Sequence, residues 1–266
     1  MVKKVVIPVA GFGTRMHPVT KTIPKEILPI INVPIMHYVI TEAMAAGMTE
    51  FIFVVSEKKF PLIQDYVQTH YPNLITKYVI QKEMLGLADA ILITEEVVGN
   101  EPFALMYPDN IIKSNIPCLR QLVDVHEKYN KSVMAVAQVS NAELSKRGII
   151  RPKEVEDKVF RVIDFLEKPS EERAPSNLAS VGRLIFDPVI FEYLKKSGKG
   201  DGENEQMAVA MRMLIQDKGL HALEFEGTRY DTGNPYNYVQ AFMACIDDFQ
   251  DCDKMKQYIK MKVEEW

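Results

Sequence analysis

The sequence predicts an α/β fold, a mixed and mainly parallel sheet with helices on both faces. Three observations carry that expectation. Apolar runs alternate with helix-period segments as far as Tyr107, and strand candidates crowd together after residue 130. The composition, 47% hydrophobic and 26% charged over 266 residues, suits a chain able to bury a substantial core.

Taken in order, Val5 to Val9 reads as a buried strand, Pro34 to Ala46 as a helix stopped by Gly47, and Phe51 to Val55 as a second strand. A helix near Leu62 to Thr69, a strand near Tyr78 to Gln81, a helix over Leu87 to Val98 and a strand over Phe103 to Tyr107 complete the first part. Parallel strands need crossovers, and these helices supply them. Ser132 to Ser140, Gly148 to Arg151, Val159 to Leu166 and Ala179 to Phe186 then read as strands short enough in their connections to pair antiparallel. Helices near Pro188 to Lys196 and Glu205 to Gln216 and a strand near Ala222 to Phe225 follow. Asn234 and Pro235 spell a cap and a first-turn proline, opening a helix with Tyr238, Phe242, Cys245, Ile246 and Phe249 on one face. No repeat or low-complexity linker divides the chain, so a single domain over residues 1–250 with a helical tail over 251–266 is expected. Met255, Tyr258, Ile259 and Val263 give that tail the spacing of a helix covering a neighbouring surface.

A formal net charge of −4 argues against nonspecific binding to nucleic acid, so any anion site is local. Cys118, Cys245 and Cys252 have no paired spacing and fit reduced thiols in the cytoplasm. The N-terminal apolar run is too short for a signal peptide and no stretch has the length of a membrane span.

The local anion site is suggested by VVIPVAGFGTRMHPVTKTIPKEILPI, where Gly11 and Gly13 follow a strand and Arg15, Lys21 and Lys25 precede the first acid, Glu26. Glycines let a ligand approach the backbone, while a guanidinium and an ammonium offset phosphate charge. A P-loop pattern is absent, and the third glycine of the dinucleotide fingerprint is missing. Taken singly, the loop also reads as a surface turn with solvated lysines.

The run Ala10 to Arg15, with Thr20-Lys21 and Pro24 to Pro29, resembles the signature of the sugar-1-phosphate nucleotidylyltransferases, in the form found in bacterial UTP-glucose-1-phosphate uridylyltransferases. Gly86-Leu87-Ala88, Tyr107 to Asn110, Glu167-Lys168-Pro169, Ala174 to Ala179, Gly182-Arg183 and Asp231-Thr232-Gly233 agree in order and approximate spacing. The resemblance implies a Rossmann-like nucleotide-diphospho-sugar transferase fold, with a nucleotide-binding part over about 1–112 and a sugar-binding part over about 113–233. It implies UTP or dTTP and a sugar-1-phosphate as substrates, Mg2+ as cofactor, and a homo-oligomer.

By the same correspondence Arg15, Lys25, Asp109 and Lys168 are catalytic. Ala10, Gly11, Gly13, Thr14, Arg15, Gln81 and Gly86 bind nucleotide; Asn110, Gly148, Glu167, Lys168 and Gly182 bind the sugar phosphate; and Asp109 and Asp231 hold the metal. Some residues depart from the uridylyl pattern. Ala88-Asp89-Ala90 and Asn110 lean toward thymidylyltransferases, Asn32-Val33 replaces the usual Asp-Lys, and Glu205 to Met211 lacks the family's threonine and aspartate. A dTTP-dependent enzyme and a non-catalytic sugar-nucleotide-binding regulator are therefore the competing expectations.

Overall fold

The computed structural model describes residues 1–198 and 205–265. β1 (Lys4–Pro8) sends Val5 and Ile7 into one core and Val6 into another, as the two-residue period of a strand requires. Helices cover both faces of the sheet, which is why the strand is apolar on both sides. Three 3-10 turns, Thr14–Met16, Val19–Lys21 and Lys25–Ile27, lead to the short ribbon of β2 (Pro29–Ile30) and β3 (Val33–Pro34). Then come α1 (Ile35–Ala45), β4 (Glu50–Val55), α2 (Phe60–His70) and β5 (Ile75–Ile80). After α3 (Leu87–Leu92) and α4 (Glu95–Val98) the chain forms β6 (Phe103–Met106), β7 (Asn110–Lys113), α5 (Cys118–Tyr129) and β8 (Ser132–Gln138).

The later elements are α6 (Asn141–Leu144), β9 (Gly148–Glu156), β10 (Val159–Glu167), β11 (Leu178–Phe186) and α7 (Ile190–Lys196). They are followed by α8 (Glu205–Asp217), β12 (Leu220–Glu224), β13 (Thr228–Asp231), α9 (Pro235–Ala244) and α10 (Cys252–Glu264). Nine strands share one sheet in the order β5-β4-β1-β6-β11-β8-β12-β10-β9. Pairing is parallel from β5 through β6 and between β8 and β12, and antiparallel elsewhere. One core gathers Met36, Ile63 and Leu122 of α1, α2 and α5, and the opposite one gathers Ile91, Leu194 and Leu214 of α3, α7 and α8.

This topology places the site. β1 and β6 are parallel neighbours, so the loop after β1 and the turn after β6 leave the same edge of the sheet. The β7–β13 ribbon starts there, with Asn110 opposite Asp231. Asn234 caps α9 by accepting the Asn237 amide at 3.0 Å, and Ala241 and Cys245 pack with Met16, Leu28 and Ile111 behind the loop.

Two expectations are corrected, and one helix is added to those the sequence predicts. The single helix over 87–98 is two short ones, because buried Thr94 turns its hydroxyl back to the Ile91 carbonyl (2.6 Å). The amphipathic helix α5 went unread in the sequence, its charged face of Arg120, Asp124 and Glu127 masking Leu119, Leu122 and Val123 beneath. The tail is helical but covers no core: α10 has no buried residue, and Tyr258 and Val263 are 59% and 60% exposed. Met255, Ile259 and Val263 share one face of α10, but that face packs against no core among the described residues. Trp266 of that tail lies outside the described residues.

Candidate active site

The loop beyond β1 is gripped from both ends. Gly13 has φ +65°, a left-handed conformation that favours glycine, and its carbonyl accepts the Thr20 hydroxyl at 2.8 Å and the Met16 amide at 2.9 Å. Lys59, at the start of α2, donates to the carbonyls of Val9 (2.9 Å) and Gly11 (2.5 Å) and to Glu26 Oε2 (2.9 Å). A buried ammonium thus ties β1's exit to the Pro24–Pro29 segment.

Asp109 stands in the turn after β6. Lys25 Nζ donates to its Oδ2 at 2.7 Å, and Asn110 Nδ2 donates to its Oδ1 at 3.1 Å. Burial pushes the Asp109 carboxyl upward, but the charges of Lys25, Arg229 and Arg15 outweigh that and hold it below the usual carboxylate range. Burial likewise lowers Lys25, and the neighbouring Asp109 and Glu26 reverse the sign, leaving it raised. Both groups are therefore charged at neutral pH.

The second carboxylate arrives from the ribbon. Thr232 donates its amide (2.8 Å) and hydroxyl (3.0 Å) to the Asp109 carbonyl, fixing Asp231 beside the same turn. Asp231 accepts from Gly233 N at 2.6 Å and from Arg229 Nη2 at 2.9 Å, with Arg147 Nη2 at 3.9 Å. Burial and the facing Arg147 lower the pKa of the Arg229 guanidinium.

Two cavities meet at Asp109. One, of about 440 Å³, is lined by Ala10, Gly11, Gly13, Lys25, Gln81 and Gly86. The other, of about 220 Å³, is lined by Arg15, Arg147, Gly148, Glu167, Gly182 and Asp231 among others. Leu87, Tyr107 and Asp109 belong to both walls. Such a seam can hold two anionic reactants end to end, with fixed cations at the join.

A family model for nucleotidyl transferases matches residues 4–248. The chain belongs to that family. It is 34% identical to the UTP-glucose-1-phosphate uridylyltransferase of Staphylococcus epidermidis, over 97% of this chain and 98% of that one. It is 37% identical to UTP-glucose-1-phosphate uridylyltransferase 1 of Staphylococcus saprophyticus, over 93% of this chain and 94% of the relative. A crystal structure of UDP-glucose pyrophosphorylase complexed with UDP-glucose superimposes with a TM-score of 0.87 at 37% identity, covering 94% of this chain and 100% of that one.

In this transferase the residues expected to bind nucleotide gather on the larger cavity, except Arg15, which lines the smaller one beside Gly233. Gln81 donates both amide hydrogens inward, to Gly86 O (3.1 Å) and Asp89 Oδ2 (2.8 Å). Asn110, Gly148, Glu167 and Gly182 line the smaller cavity, where burial raises the Glu167 pKa and nearby Lys168 only partly offsets it. A side chain at Gly148 would collide with the Phe165 ring. Lys168 lines neither cavity; at φ +47° it sits on the rim, 3.8 Å from the Glu167 carboxylate. The sequence reading missed Lys59, Arg147 and Arg229. Arg229 carried a signal, since it lies two residues before Asp231 on one face of a strand.

Proposed function

We propose that this chain transfers the uridylyl group of UTP to glucose-1-phosphate, giving UDP-glucose and pyrophosphate. The observation that carries this reading is the junction: a glycine-loop cavity and a Glu167-bearing cavity share Asp109, and Lys25 stands on its carboxylate. The names of the similar proteins support the substrate pair.

In the reaction a phosphate oxygen of the sugar phosphate attacks the α-phosphorus of UTP. The bond from that phosphorus to the bridging oxygen breaks, and pyrophosphate leaves with the electron pair. Lys25 and Arg15 offset negative charge as it shifts to the departing group. Gln81, its amide hydrogens already spent, keeps its carbonyl to accept a uracil N–H. Glu167 accepts sugar hydroxyls and Lys168 closes on the sugar phosphate from the rim. On this reading residues 1–112 form the nucleotide part and 113–233 the sugar part.

Asp109 and Asp231 suit Mg2+: they are two carboxylates from separate segments tied together by Thr232 on the Asp109 carbonyl, and among the described residues no group of three or more His, Cys, Asp or Glu competes for a metal. Bound there, Mg2+ would neutralise phosphate charge. Free cysteines support a cytoplasmic setting, and among the described residues no helix is long and apolar enough to cross a membrane. Exposed Tyr236, Val239 and Met243 along α9 support an assembly of like chains.

The test is pyrophosphate release across a panel of nucleoside triphosphates and sugar-1-phosphates. UTP with glucose-1-phosphate is expected to have the highest kcat/KM. A tenfold preference for dTTP, which differs by a methyl and a hydroxyl and so by only about 1–3 kcal/mol of discrimination, would move the chain to the thymidylyl branch. UTP binding without pyrophosphate release would favour the regulator.

A further inference from the structure

Arg183 lies in β11 and is 0% exposed, beyond reach of either substrate. Its guanidinium is fully used. Nε donates to both Glu42 oxygens (3.2 and 3.1 Å), and Nη2 donates to Glu42 Oε2 (2.8 Å). Nη1 donates to the carbonyls of Tyr107 and Gly182, both at 3.1 Å, and Nη2 donates to the Asn110 carbonyl at 2.7 Å. Tyr107 and Asn110 bracket Asp109 in the chain, so one rigid fork holds both ends of the turn that presents this carboxylate.

We propose that Arg183 is a positioning residue for the transfer: by gripping the Tyr107 and Asn110 carbonyls it aims Asp109 at the junction of the two cavities. Its planar fork is what the task needs, because separate N–H groups must reach three carbonyls while the same plane pairs with a carboxylate. Stability alone does not call for it, since well-packed apolar residues replace many buried ion pairs at no loss. Glu42 anchors the fork from α1 and also accepts the Leu119 amide at 3.2 Å, tying the start of α5 to the same centre. Gly182 completes the fit: a Cβ there would stand 2.7 Å from the Tyr107 ring.

The inference rests on the metal and transfer reading of Asp109, and its test separates the two. Arg183→Lys keeps a cation opposite Glu42 but cannot span the carbonyls. A second variant, Arg183→Met with Glu42→Met, removes both charges and guards against a fold lost to an unpaired carboxylate. Circular dichroism and thermal melts establish the folded fraction, and kcat is expressed per folded site. The expected result is a kcat lower by about 10–100-fold in both variants, KM for UTP near wild type, and Mn2+ affinity, read by electron paramagnetic resonance without substrates, weakened by about tenfold or more. A folded variant with wild-type kcat and wild-type Mn2+ affinity overturns the proposal. Should the wild type bind Mn2+ but release no pyrophosphate, the transfer reading fails and the Mn2+ affinities alone decide Arg183. Should it turn over without binding Mn2+, the metal role fails and kcat decides.

Discussion

Asp109 and Asp231 are both held by cations, yet they are built differently. Asp109 sits between Lys25 and Asn110, while Asp231 shares Arg229 with Asn110 and takes a backbone amide from Gly233. Asp109→Asn and Asp231→Asn each preserve size and remove the charge that a metal needs, so each is expected to lower kcat by about 10²-fold or more in a folded protein. Turnover near wild type in either variant would remove that residue from the metal site. Glu167 gives a pH signature. Burial raises its pKa above 4.5 and Lys168 offsets only part of the rise, so the carboxylate proposed to accept sugar hydroxyls is present above the raised value and is lost as pH falls through it. KM for glucose-1-phosphate should therefore climb on acidification at a pH where an ordinary glutamate is still ionised. Glu167→Gln should lack that limb; superimposable profiles would show that Glu167 does not meet the sugar.

Among the elements, the loop after β1 depends on a helix that never lines the junction. Lys59 brings its charge from the start of α2 to the Val9 and Gly11 carbonyls and to Glu26, whose side chain is 1% exposed and whose Oε1 has no partner. Lys59→Met leaves that carboxylate buried alone and should cost about 3–5 kcal/mol in urea unfolding. Adding Glu26→Met should restore most of the stability but not the loop, so KM for UTP stays raised in the double variant. Recovery of both together would reduce Lys59 to a stabilising role. These contacts mark the limit of what the sequence disclosed. The runs in β1, β4 and β6 were legible because both faces of those strands are buried, which leaves continuous apolar segments. β7 and β13 were not, being four residues each and made strands only by pairing with one another across the chain. Lys59 was hidden within Glu57-Lys58-Lys59-Phe60, which has the composition of an exposed turn. Lys25, Asp109, Asp231 and Glu167 were legible through their motifs, whereas the order in which they line the two walls required the ribbon.

At the scale of the whole molecule, the all-parallel half of the sheet and its mixed, mostly antiparallel extension are joined where β6 meets β11. The turn leaving β6 carries Asp109, and Gly182 and Arg183 of β11 pack beneath it, so the boundary between the two pairing modes is also the wall shared by the two cavities. A nucleotide entering along the β1 loop and a sugar phosphate entering beside Glu167 would meet there with their phosphates facing. The most direct measurement of that arrangement is a crystal structure of this chain with UDP-glucose bound. Uracil is expected against Gln81 and Gly86, the diphosphate beside Lys25 and Asp109, and glucose within hydrogen-bond reach of Glu167. Glucose lodged in the glycine-loop cavity, or a diphosphate remote from Asp109, would contradict that arrangement.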